Sequence, residues 1–113
     1  MTKKQMSLLQ GTLDVLVLKA VAGEPRHGYG VAEWIRSTTD GTLEVEDGAL
    51  YTSLHRMHKR GWLSSEWGVS ENNRKAKYYA LTDTGRSELE RAEGEWARYA
   101  DAVFKVLGRQ AGI

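Results

Sequence analysis

Over residues 7–22 the apolar positions Leu9, Leu13, Leu16, Val17, Ala20 and Val21 recur at helical spacing. Leu8, Val15 and Leu18 add a second apolar face, so the pattern predicts a helix with one side for a core and another for a neighbour. Gly23-Glu24-Pro25 ends it, and His27-Gly28-Tyr29-Gly30 leads into a second helix carrying Tyr29, Val31, Ala32, Trp34 and Ile35 to about residue 38. Gly41 breaks the chain again, and Thr42-Leu43-Glu44-Val45 suits only a small strand. Asp47 is the expected cap of a third helix that reaches residue 59 or 60 and is ended by Gly61.

The pattern then changes period. Residues 62–67 and 76–81 alternate as half-buried strands do, and the polar stretch between them contains Asn72 and Asn73, which predicts a β-hairpin. Thr82 is the expected cap of a last helix running to about residue 107. There Leu89, Ala92, Trp96, Tyr99, Val103 and Val106 are spaced three, four, three, four, three, which is the seam of a short coiled coil and the expected dimer interface. Three helices, a hairpin and a long helix give a mainly α fold with a small β-hairpin wing: a winged helix-turn-helix plus a C-terminal dimerisation helix. Residues 1–81 form the first part and 82–113 the second, in one compact unit.

Composition narrows the function. The 113 residues suit one domain with a modest core, which a partner subunit would enlarge. The absence of cysteine excludes a disulfide framework and a thiolate metal site, and fits a cytoplasmic protein. No apolar run suits a membrane span, and the first residues do not resemble a signal peptide. Net charge is only +1, yet it is segregated. Residues 40–54 hold Asp40, Glu44, Glu46 and Asp47 with no Lys or Arg, whereas residues 55–81 hold six Lys and Arg against two Glu. Such a distribution steers an anionic partner to one face.

Several runs, in this order and spacing, resemble the PadR family of bacterial transcriptional regulators. They are Gly11-Thr12-Leu13-Asp14, His27-Gly28-Tyr29-Gly30, Gly48-Ala49-Leu50-Tyr51, Leu54-His55-Arg56-Met57, Gly61-Trp62-Leu63, the stretch from Ser70 through Tyr79, and Leu81-Thr82-Asp83-Thr84-Gly85-Arg86. A single helix after the hairpin looks like the small-subfamily members. Thr52 stands where that family usually has proline, and Met57 where it has leucine.

On the third helix Leu50, Leu54 and Met57 form a core stripe, and the opposite face holds Gly48, Thr52, His55, Arg56 and Lys59. A slim leading end followed by hydrogen-bonding groups and cations is what a major-groove recognition helix requires. Tyr51 lies on the flank, where packing of its ring and, as the resemblance implies, a contact from its hydroxyl to phosphate are both open. On the hairpin tip Asn73, Arg74, Lys75 and Lys77 are the expected wing contacts to phosphates and minor groove, while Trp62, Trp67 and Tyr79 are read as packing. The acidic run is read as structural, complementing a helix start. Trp96 suits a packing anchor; the resemblance implies that paired tryptophans could sandwich a flat aromatic effector, with Leu8, Val15 and Leu18 lining the opening.

No catalytic constellation is present, and His55 and His58, three apart, lack a third ligand, so neither metal nor cofactor is expected. The expected function is a homodimeric repressor on a palindromic double-stranded DNA operator, with an aromatic small molecule as possible effector. The competing readings are a small-molecule-binding or protein-interaction dimer that reuses the fold without DNA, and a constitutive repressor with a solid seam.

Overall fold

Helical spacing brings Val17 and Leu18 of the first helix, Val31 and Ile35 of the second, and Leu50, Leu54 and Met57 of the third to one centre, where each is fully buried. Burial of such side chains supplies about 1.5–3 kcal/mol each, the main force holding the three helices together. In the computed structural model, which describes the backbone of residues 3–109 and the side chains of residues 11–109, these are α1 (Lys3–Ala20), α2 (Gly28–Thr38) and α3 (Asp47–Lys59). A two-residue strand β1 (Arg26–His27) precedes α2, and β2 (Leu63–Val69), β3 (Lys75–Leu81) and α4 (Asp83–Leu107) follow α3.

The sheet is antiparallel, in the order β1-β3-β2. Its base closes the core with Leu63 and Tyr79, and its far end projects as the wing. No strand forms at residues 42–45, contrary to the expectation, because the open edge of β3 is taken by Arg26 and His27, paired with Tyr79 and Tyr78. The α2–α3 connection instead turns through Asp40 and Gly41, at φ 53° and 80°. Asp47 is not a cap either: it is the first residue of α3, in line with the helix dipole, and Glu46 occupies the cap position without a side-chain bond.

Thr82 caps α4 as expected. Its hydroxyl accepts the Gly85 N–H at 3.0 Å and lies 2.6 Å from the Gly61 carbonyl, which ties the start of α4 to the end of α3. Gly85 packs so closely that a Cβ there would sit 2.0 Å from the Trp62 carbonyl oxygen. At 1.5 Å per residue the 25 residues of α4 span about 37 Å, longer than the two shorter dimensions of the protomer, 30 and 29 Å. Its burial is greatest along the first turns. Leu89, read from the sequence as the start of a seam between subunits, is 5% exposed and belongs to this protomer's own core, because the first turns of α4 pack against α1 and β3. Ala92 is half-buried, and beyond it Trp96, Tyr99 and Val103 are partly exposed while Val106 is 85% exposed.

Candidate nucleic-acid interface

The face of α3 opposite Leu50, Ser53, Leu54 and Met57 is open, and along it lie Gly48, Tyr51, Thr52, His55 and Lys59, all exposed. Arg56 has a partner within the protomer. Its guanidinium is 2.5 Å from Asp14 Oδ1 of α1, and the same oxygen accepts the Ser53 hydroxyl at 2.7 Å. Three polar side chains thus cross-link α1 and α3, and Arg56 enters the face already paired with an anion. His58 leaves the face, its Nε2 3.1 Å from Ser65 Oγ on β2.

The wing turn follows from its local sequence. Ser70 and Arg74 close the hairpin, the Asn73 N–H donates to the Ser70 carbonyl at 2.8 Å, and Asn73 takes φ 59°, a left-handed position that asparagine tolerates. Alternation along β2 and β3 puts Leu63, Ser65, Trp67 and Val69 on one side of the sheet together with Leu81, Tyr79, Lys77 and Lys75. That side is buried at its base and free at its tip. Trp67 is therefore not core packing: it is 60% exposed, with the ammonium groups of Lys75 and Lys77 5.1 and 5.6 Å from its ring. The indole fixes two cations that would otherwise sample many rotamers. The sequence showed the aromatic and the lysines; only strand register showed that they share a face.

Tyr51 joins helix and wing. Its ring, 51% exposed, rests where a side chain on Gly28 would be, since a Cβ there would approach the hydroxyl to 2.5 Å. Tyr51, Trp67, Arg74, Lys75 and Lys77 border one groove of about 660 Å³ between α3 and the wing. Of the predicted residues, the groove unites one from α3 with three from the wing. Thr52, His55 and Lys59 continue along α3 beside it, Asn73 stands at the turn, and Gly48 lies apart, toward α1.

A second cavity, of about 390 Å³, lies between α1 and α4 and is bordered by Thr12, Val15, Leu18, Trp96 and Tyr99. Leu18 is part of the protomer's core and reaches this cavity only as its floor. The Trp96 Nε1–H donates to Thr12 Oγ1 at 3.1 Å, and the ring is 43% exposed. The side chain of Leu8 lies outside the described residues.

A helix pair with a basic wing, presenting an open helix face and exposed cations on one groove, defines a winged helix-turn-helix DNA-binding protein. The transcriptional regulator PadR-like family model matches residues 17–91, and the chain belongs to that family. It is similar to the crystal structure of a PadR family transcriptional regulator from Eggerthella lenta, at 34% identity and a TM-score of 0.72 over 92% of this chain and 88% of that one. A PadR-like transcriptional regulator from Bacillus cereus is 27% identical, with a TM-score of 0.73 over 89% and 96% of the two chains. The fold is also shared, at 24% identity and a TM-score of 0.78, with a transcriptional regulator from Clostridium thermocellum over 88% and 96%. The chain is therefore a DNA-binding regulator of transcription and not an enzyme. Among the described residues no helix is long and apolar enough to cross a membrane.

Proposed function

We propose that the protein is a cytoplasmic homodimeric repressor that binds a palindromic operator through two recognition helices and two wings. The observation that carries this reading is the groove in which Tyr51 of α3 faces the Trp67-held Lys75 and Lys77. One sugar-phosphate strand running along it would meet the Tyr51 hydroxyl on one side and ammonium groups on the other, while Thr52 and His55 reach base edges. Lys59, Arg74 and Asn73 extend the contact at either end. Dimerisation is supported by the exposed stripe Trp96, Tyr99, Val103 and Val106 on α4, whose spacing suits a twofold helix pair.

Selection of bound fragments from the host genome, followed by anisotropy titration of the recovered duplex, tests this reading. The expected result is an inverted repeat with half-sites about one helical turn, or a multiple, apart. Recovery of no preferred duplex refutes it and favours a dimer that reuses the fold without DNA.

An aromatic effector is the second part of the proposal, supported by the cavity beside Trp96. A ligand there changes DNA affinity only by favouring one separation of the two heads over another. Planar aromatic compounds are expected to quench tryptophan fluorescence in the wild type and not in Trp96→Leu. Equal quenching in both eliminates the effector site and leaves a constitutive repressor.

A further inference from the structure

The turn of the basic wing holds one carboxylate, Glu71, whose charge opposes the attraction of an anionic partner to the neighbouring cations. Its partner lies 44 residues upstream: Glu71 Oε1 is 3.1 Å from His27 Nε2. His27 is the residue before α2, and its Nδ1 accepts the Gly30 N–H at 3.0 Å as the helix cap. With Nδ1 an acceptor, the neutral ring carries its proton on Nε2, which donates it to Glu71. The imidazole is anchored elsewhere too. It is buried, its backbone pairs with Tyr78 in the sheet, and the Tyr78 ring meets it edge-on at 5.1 Å. Glu71, by contrast, stands 80% exposed at the tip. Its carboxyl is held below the usual range, first by an N–H of its own backbone and then by the His27 N–H.

We propose that Glu71 is a positioning residue for DNA binding: by accepting the His27 Nε2–H it ties the wing turn to the start of α2 and fixes the separation of the wing cations from Tyr51. A two-stranded ribbon flexes readily at its free end, whereas the start of α2 is locked to the core through Val31 and Ile35. Glu71, Tyr51, Arg74 and Lys77 border the same groove, so a swing of the turn alters its width directly. This inference rests on the DNA-binding reading.

The test compares Glu71→Gln with Glu71→Ala in the full chain, because both remove the same charge and only glutamine keeps an oxygen for His27. With the selected operator duplex, Glu71→Gln is expected to bind at least as tightly as wild type. Glu71→Ala is expected to bind about threefold or more weakly than Glu71→Gln, with an unchanged salt slope, as loss of one hydrogen bond implies. Equal affinities of the two variants would overturn the proposal, leaving Glu71 a mere charge. Amide exchange of residues 70–74 in the free protein reads the tether without DNA: faster in Glu71→Ala, as in wild type for Glu71→Gln. Identical exchange in all three also overturns it. Should the exchange difference appear while wild type binds no duplex, the tether exists, and both its role on DNA and the DNA reading are refuted.

Discussion

Salt dependence distinguishes cations that meet phosphate from one that is already engaged. Lys59, Arg74, Lys75 and Lys77 are exposed, four per protomer, whereas Arg56 is paired with Asp14 at 2.5 Å. Each phosphate neutralised releases counterions worth about −0.9 in the slope of log K against log salt. Eight contacts in a dimer give about −7, and counting Arg56 as well would give about −9. Between 50 and 200 mM salt the first slope corresponds to a loss of affinity of about 10⁴-fold. Lys77→Ala removes two contacts per dimer and is expected to flatten the slope by about 1.8. Arg56→Gln is expected to leave the slope unchanged. It releases the link between α1 and α3 and costs about 1 kcal/mol of stability, a modest figure because the pair is partly solvated. Anisotropy titrations at five salt concentrations, with urea unfolding of the same variants, supply both quantities. A slope for Arg56→Gln that flattens as much as that for Lys77→Ala refutes the assignment of Arg56 to the α1–α3 link.

Gly85→Ala forces a methyl group against the Trp62 carbonyl and is expected to cost about 3 kcal/mol or more, lowering the thermal midpoint by many degrees; a midpoint within two degrees of wild type, on the order of measurement error for such a change, contradicts the packing. Trp67→Leu removes the platform under Lys75 and Lys77 and is expected to weaken DNA binding about two- to fivefold per site while the salt slope stays constant. A reduced slope in that variant means the lysines are lost as contacts and not merely loosened. Val103→Asp with Val106→Asp places charges on the exposed stripe of α4, and sedimentation is expected to show a monomer that still melts cooperatively, since neither residue belongs to the core; a persistent dimer locates the interface elsewhere.

How much could be read in advance varies from element to element. Period separated the helices from the hairpin, and Thr82 and Gly61 marked boundaries because their chemistry is local: a hydroxyl that caps, a glycine at φ 82°. Leu50, Leu54 and Met57 were recognisable as core because their spacing puts them on one side of a helix whatever it packs against. The pairing of Arg56 with Asp14 was not legible, since Arg56 lies at the margin of that side, where the neighbouring helix decides what it meets. Leu89 joins the protomer's own core, which its heptad position could not show, because a heptad pattern does not say which neighbour covers which turn. β1 left no signal at all: two residues have no period, and their pairing depends on where β3 comes to lie.

The order of elements, the core stripes, the wing with its cations and the family resemblance were therefore properties of the chain itself, fixed by spacing and backbone preference within a few residues. Tertiary structure alone decided the partners of long polar side chains: Asp14 with Arg56 across 42 positions, Glu71 with His27 across 44, and both lysines with Trp67 across a hairpin. The physical reason is range. A helix or strand preference acts over a few bonds, whereas an ion pair or a ring contact acts over a few ångströms of space and is indifferent to the length of chain between its ends.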